Sequence, residues 1–511
     1  MALAGSALSR RAFLVGTSAL VAAGQFGLWP GVGFAEDGLE VSATAWGDLS
    51  RRLLGPVLRP SDFDFAKFNL PNNLRYADIL PTGIALCAST ADVVEAIQWC
   101  REYSVPFAAR SGGHSYAGFS MSRGLTIDVS MMNAPYFDPS TGIVRIGAGA
   151  RNQILYAQLR AANIAITHGR CPTVGVAGFV LGGGIGFNMR ANGLACDQVV
   201  ESEIVLADGQ VLTLDARSND HTVADLYWAC RGGGGGNFGI NTAFALQTFA
   251  APPVCAFQCN WSAEPDEMER VFGALMEALD EGPDTLGTRF SVGAITPEQL
   301  RRREPMTLEL IGQIHHGTRQ EVLDLLKPVY AVEQPATEKI EELPYWAGQD
   351  FLEEPGTPAP FQERSTFLVK PLDPEGRKIA FDFLRRWPGT GTGPDATADF
   401  RFFQTGGRVN KVPADATAFV HRNTRFIEDI GLNWPVGTPA AVLEANFAWQ
   451  DAFYEAMRPH TNGQAYQNFM DPVLEDWQQA YYGSNLPRLK EIKHRVDPDN
   501  LFRFAQSIPP A

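Results

Sequence analysis

Two nucleophilic side chains sit on glycine-rich turns. His114 lies in Arg110-Ser111-Gly112-Gly113-His114-Ser115-Tyr116, directly after an apolar run at 105–109 that reads as a strand. Cys171 opens a stretch, 171–186, in which six of sixteen residues are glycine, among them Gly175, Gly178, Gly183 and Gly184; the background is about 7%. Bare backbone of this kind lets N–H groups close on a flat or anionic group. An imidazole nitrogen and a thiol are side chains that can attack such a group at its edge. A third cluster, 232–236, is all glycine and runs into Asn237-Phe238-Gly239-Ile240. None of the three matches GxxxxGK[ST], which excludes a triphosphate loop, and the first is not a GxGxxG that opens a helix. Near the C-terminus, Tyr466-Gln467-Asn468 offers a phenol as proton acceptor. A free phenol titrates near 10, so to act as a base at neutral pH it needs help from its surroundings, and a neighbouring carboxylate that accepts its hydrogen bond is the expected partner.

Elements that could position these groups can be read from the pattern. Residues 83–87, 92–103 and 105–109 read as strand, helix and strand, the start of an α/β unit. Further strands are expected at 125–129, 143–148, 203–206 and 211–214, with a helix at 152–162 between them and turn signals such as Asp208-Gly209. From 254 the character changes. Amphipathic helices at 266–279 and 319–329 alternate with strands at 306–315, 366–369 and 400–403, which implies an antiparallel sheet backed by helices. The tail resumes an α/β style, so it is expected to return to the first part. The division is 36–250, 251–460 and 461–511, since 511 residues exceed one ordinary core.

Composition narrows the function class. A net charge of −15 argues against nucleic acid and anionic membrane as partners. Residues 1–35, with Ser9-Arg10-Arg11-Ala12-Phe13-Leu14, an apolar stretch at 15–28 and Gly33-Phe34-Ala35, look like a bacterial twin-arginine signal cleaved after Ala35. Its removal takes away two arginines and no acid. No later segment reaches the roughly 18 unbroken apolar residues that span a bilayer. The seven cysteines show no CxxC pair and no metal-ligand spacing. Cys255 and Cys259, four residues apart on a strand, would lie about 13 Å from each other, beyond disulfide reach. Cys87, Cys100, Cys196 and Cys230 read as small buried hydrophobes.

Together the motifs resemble the berberine bridge enzyme-like branch of the vanillyl-alcohol oxidase superfamily of FAD-linked oxidases. The resemblance is dense over 81–249 and 466–509 and thin between. It implies an α+β fold, a two-part FAD-binding domain with an antiparallel-sheet substrate domain. It also implies a flavin linked at its 8α-methyl to His114 and at C6 to Cys171. Cofactor contacts would come from Arg110, Ser111, Gly112, Gly113 and Ser115 in the first turn, and from Val174, Gly175, Gly178, Gly183 and Gly184 in the second. Gly193, Leu194, Asp197, Gly239, Ile240 and Asn468 match further FAD-contacting positions. Tyr466 is implied as the catalytic base, with Tyr116 beside it. An acid is expected on the strand near 421–434: counting back from Trp434 gives Asp429, counting forward from His421 gives Ile430, and Gln404 is the other polar candidate. Val174 is similar to oxygen-reacting members, whereas Ala177-Gly178-Phe179 replaces Gly-Gly-His and removes a polar flavin contact.

The implied reaction is oxidation of an alcohol or hemiacetal, with hydride passing to the flavin and oxygen becoming hydrogen peroxide. The substrate would be a small molecule, such as a sugar stacked on aromatics in a groove, acted on by a secreted or periplasmic monomer. Alternatives are a secondary-metabolite alcohol or C–N bond, a dehydrogenase with another acceptor, or a flavin-retaining protein without turnover.

Overall fold

The computed structural model describes residues 40–389 and 397–511, so the segment at 1–35 lies outside the described residues. The first glycine turn hangs from a parallel sheet. Strands Gly83–Leu86, Leu125–Asp128 and Phe107–Arg110 pair in parallel in that spatial order, with Val57–Leu58 antiparallel at the edge. Helix Thr90–Glu102 crosses between the first strand and Phe107–Arg110, starting where Ser89 Oγ accepts from Asp92 N at 3.2 Å. Asp92 in turn accepts from the backbone of Leu54, Gly55 and Ala88, which ties the strand ends to the helix start. Ligands in such sheets gather at the carboxyl ends of the strands, and that is where His114 follows Arg110.

A second sheet of five antiparallel strands runs Pro135–Asp138, Ile143–Gly147, Ile240–Gln247, Val199–Val205, Val211–Asp215. The third sheet has seven antiparallel strands in the order Thr337–Leu343, Val254–Ala263, Met306–His315, Leu286–Gly293, Thr397–Gln404, Phe426–Asn433, Phe361–Leu368. Helices cover its back. Pro265–Asp280 opens with Pro at its first turn and buries Met268, Val271, Phe272, Leu275 and Leu279 at helical spacing. Phe272 meets Phe381, Phe400 and Phe402 there. The mixed α+β fold is the expected one. Strand Met306–His315 has the expected bounds, while Phe361–Leu368 begins five residues earlier than the strand read at 366–369. Glu363 and Arg364 interrupt the apolar run there, yet both are buried. All seven cysteines are free, and only Cys171 has partial exposure. Among the described residues no helix is long and apolar enough to cross a membrane.

Glu428 points into the helix layer behind the sheet, and its Oε2 has no partner among the described residues. Burial pushes its carboxyl up to about 8, opposed by the Thr366 hydroxyl on the neighbouring strand. A carboxyl raised by folding contributes stability below its free pKa and loses it as pH rises. Glu428→Gln should therefore gain in melting temperature over the parent progressively from pH 4.5 to about 8. A melting series in which the gap stays constant with pH would contradict this.

Candidate active site

The two nucleophile-bearing turns meet. A Cβ on Gly112 would run into the backbone of Gly175, and one on Gly175 into Gly112, so only glycine at both places allows the turns to interlock. The contact is reinforced by Ser111 Oγ donating to Ala148 O at 2.7 Å and by Val176 N donating to Ala150 O at 2.8 Å. Thr173 then joins the nucleophiles: its Oγ1 lies 3.0 Å from His114 Nε2 and 3.2 Å from Cys171 Sγ. Burial, with Arg151 and Arg110 adding to it, lowers His114 to about 4, so its imidazole is neutral and nucleophilic at neutral pH. Gly356, on the loop after helix Tyr345–Phe351, backs onto Cys171 Sγ.

Behind Cys171 a buried chain holds the loop. Tyr156 Oη donates to Gly169 O, and His168 Nδ1 contacts the same carbonyl at 2.7 Å. His168 Nε2 reaches Tyr345 Oη at 2.8 Å, and Asn188 Nδ2 donates to that hydroxyl at 2.5 Å. These residues carry no motif, and the sequence reading did not single them out.

Tyr466 is buried and faces the bare backbone of the second turn. Its Oη accepts from Gly184 N at 3.0 Å and from Asn468 Nδ2 at 3.1 Å, and Asn468 also donates to Phe179 O. Burial pushes the phenol above its ordinary value, while the two N–H donors pull it down by favouring phenolate. The expected carboxylate partner is replaced by these donors. A ladder of rings continues outward: Tyr466 meets Phe469 edge-on at 5.0 Å, and Phe469 stacks on Tyr116 at 5.0 Å. Gly183 and Gly184, at φ 120° and 82°, take the backbone past Phe419, Phe179 and Ala195, where side chains would collide.

Register resolves the acid on strand Phe426–Asn433. Asp429 lies across from Ser365 and Arg401, while Glu428 and Ile430 face the helices. Tyr466 N donates to Ser365 Oγ at 3.1 Å, which places Asp429 on the face toward Tyr466. Asp429 does not bond the phenol. Its Oδ2 sits 3.4 Å from Arg401 Nη1, the same nitrogen is 3.0 Å from Glu363 Oε1, and Arg401 Nη2 is 2.9 Å from Asp399 Oδ2. Burial first, then the Glu363 charge, pushes Asp429 well above the carboxylate range against the pull of Arg401. Burial, with Glu363 and Asp429 adding to it, also raises Tyr116. Arg289 extends the ionic patch, pairing with Glu309 at 2.7 Å and Glu354 at 2.9 Å. Gln404 belongs to the other face: it donates to Leu279 O and accepts from Thr288 Oγ1, so it is removed from the candidates.

Several expected cofactor ligands have side chains committed to the protein. Arg110 donates to Asn69 O at 3.1 Å and Leu70 O at 2.6 Å, beside Asp128. Ser115 Oγ accepts from Phe119 N. Asp197 accepts both Arg422 Nη1 and Nη2, and caps Leu194 N at 2.9 Å next to the Gly193 turn. These residues shape the turns, and what they offer a ligand is backbone. Gly178, by contrast, has open space where a side chain would stand. The third cluster is held by the tail: Lys493 Nζ, fully buried, donates to Asn237 O at 2.8 Å, to Asp497 and to Phe502 O, and Ile508 N donates to Asn237 Oδ1. Removing one partner of such a buried pair costs about 3–5 kcal/mol. Gly239 and Ile240 lead into the central strand of the second sheet beside Ile204.

Two nucleophiles and a buried phenol are thus carried by or packed against interlocked glycine-rich turns, an arrangement suited to a flat redox cofactor. Comparison with known proteins agrees. The FAD binding domain family matches residues 81–215, and the berberine and berberine like family matches 465–509. The chain is 31% identical over 469 residues to the uncharacterized FAD-linked oxidoreductase YgaK of Bacillus subtilis, covering 90% of this chain and 98% of that protein. It is 29% identical over 461 residues to the xylooligosaccharide oxidase of Thermothelomyces thermophilus, covering 84% and 88%. Among solved structures, wild-type BBE-like 1 of Physcomitrella patens matches with a TM-score of 0.79 at 27% identity, covering 91% of this chain and 99% of that one. Xylooligosaccharide oxidase from Myceliophthora thermophila, solved with xylobiose, matches at 0.76 and 26%, covering 92% and 100%. The chain belongs to the berberine bridge enzyme-like FAD-linked oxidoreductases.

Proposed function

We propose that this protein is an exported oxidase that carries FAD on both His114 and Cys171 and oxidises a hydroxyl or hemiacetal carbon of a sugar or oligosaccharide. The observation that supports double attachment is Thr173, whose one hydroxyl touches both nucleophiles. In the tautomer in which Nε2–H donates to Thr173, Nδ1 of the neutral His114 ring keeps its lone pair for an electrophile, and Cys171 Sγ lies against the same hydroxyl. The interlocked turns and the open space at Gly178 fit a flat ring system, and backbone N–H groups of the glycine clusters suit the pyrophosphate. A double linkage retains the cofactor outside the cell, which accords with the twin-arginine segment.

FAD held by His114, Cys171 and the glycine clusters would supply the hydride acceptor, with molecular oxygen as the oxidant that yields hydrogen peroxide. The chain supplies orientation and the base. Tyr466 Oη, as the phenolate that Gly184 N–H and Asn468 Nδ2 stabilise, takes the hydroxyl proton of the substrate and becomes the neutral phenol. The ring ladder of Tyr116, Phe469 and Tyr466 keeps water from that oxygen. A carbohydrate substrate is supported by the xylooligosaccharide oxidase and by the carbohydrate oxidase of Microdochium nivale, each 29% identical.

Anaerobic mixing of the yellow protein with xylobiose, other oligosaccharides, monosaccharides, phenolic alcohols and amines tests this reading. Bleaching by a saccharide, then one peroxide per flavin on admitting air, is the expected result. Bleaching by phenolic alcohols or amines alone would replace the substrate class. Turnover with dyes but no oxygen consumption would make the protein a dehydrogenase.

A further inference from the structure

The buried face of the seven-stranded sheet beneath Tyr116 carries two carboxyls whose hydrogen bonding is incomplete. Asp429 is wholly buried and Glu363 is 7% exposed. Asp429 Oδ2 and Glu363 Oε1 share Arg401 Nη1, but Asp429 Oδ1 and Glu363 Oε2 have no hydrogen-bond partner among the described residues. Other charged and titratable groups around Asp429 leave those oxygens alone. Asp399 engages Arg401 Nη2, Arg289 engages Glu309 and Glu354, Ser365 Oγ accepts from Tyr466 N, and Tyr116 presents its ring from the first turn. Because Glu363 Oε1 and Asp429 Oδ2 lie 3.0 and 3.4 Å from the one nitrogen, the two carboxyl groups are immediate neighbours. Two buried carboxylate oxygens at that range repel unless a proton lies between them.

We propose that Asp429 is protonated in the resting protein and donates from Oδ1 to Glu363 Oε2, so that Glu363 is the residue that holds and orients it. The pair then closes a ring: Arg401 Nη1 donates to both carboxyls, and one carboxyl donates to the other. Every oxygen in it has a partner. The inference builds on the reading of this face as the substrate side, and it changes the role of Asp429 there. Asp429 is a fixed acid beside Tyr116, and the base is left to Tyr466 with its N–H donors. Glu363 is a positioning residue that acts through Asp429.

The test needs no substrate, so it stands or falls separately from the oxidase reading. Infrared difference spectra of the flavin-loaded protein at neutral pH, parent minus Asp429→Asn, should show the C=O stretch of a protonated carboxylic acid that shifts in D2O. The same difference taken in a Glu363→Gln background should lack it. Gln keeps the shape and an acceptor oxygen but removes the charge that holds the proton on Asp429. As a second readout, a carboxyl raised by folding loses stability as pH rises. Glu363→Gln relieves that loss, so its melting temperature relative to the parent should increase from acid to neutral pH. Absence of the band in the parent difference, or its survival unchanged in the Glu363→Gln background, overturns the proposal. So does a melting difference that is flat with pH.

Discussion

His114→Ala and Cys171→Ala should each leave the yellow chromophore on the polypeptide after acid precipitation, and the double variant should release all of it. The expectation follows from Thr173, which brings an imidazole and a thiol to the same point on two separately formed turns. Each turn retains its backbone in the variants, because Gly112 and Gly175 make the contact rather than the nucleophiles. Intact mass of the denatured protein gives the count: one FAD in the parent and in both single variants, none in the double. Release from either single variant would show that only the residue replaced in it carries the cofactor. Turnover should fall in both single variants, since one anchor leaves the ring free to tilt against Tyr466, and orientation errors of this size are costly.

Tyr466→Phe should slow flavin reduction by a factor of about 10²–10⁴, the range for loss of a general base. Flavin content should change little, while the buried donors left without an acceptor should cost about 1–3 kcal/mol of stability. The ring contacts with Phe367, Phe419 and Phe469 persist in phenylalanine, at centroid separations of 6.5, 6.2 and 5.0 Å in the parent. What disappears is the oxygen to which Gly184 and Asn468 donate. Because burial raises the phenol, the parent's reduction rate should climb with pH on the alkaline side as the phenolate fraction grows. In Tyr466→Phe that climb should vanish. Stopped-flow bleaching across a pH series checks both parts, and a variant that is reduced as fast as its parent would remove Tyr466 from the mechanism.

Much of this site could be read from the chain because glycine marks it. Residues that must pass a large flat group with bare backbone leave a compositional trace, and the turns at His114 and Cys171 stand out for that reason. The strand acid was harder. Counting from two ends gave adjacent residues, and only cross-strand register, Asp429 opposite Arg401 and Ser365, settles which face each one takes. Glu363 was invisible. Strand Phe361–Leu368 is buried on both faces, so the alternation that normally separates inside from outside is missing, and its charged residues looked like a loop. The partner of Tyr466 was misjudged for a related reason. A nearby carboxylate disfavours phenolate, as Glu363 and Asp429 do at Tyr116, and the groups that favour it are donors, an asparagine and a backbone N–H 282 positions away in sequence. No local pattern records such a meeting. The His168, Tyr345 and Asn188 chain behind Cys171 shares that property, since its members are drawn together by packing alone.

The clamp formed by Lys493, Asn237 and Asp497 also orders events in time. Its lysine and aspartate come from the last part of the chain to be synthesised, as do Tyr466 and Asn468, whereas both nucleophiles come from the first half. A nascent polypeptide therefore holds its two anchoring groups well before it holds its phenol. A product that ends before Tyr466 keeps both nucleophiles and lacks the phenol, whereas one that ends between Tyr466 and Lys493 keeps the phenol and lacks the clamp.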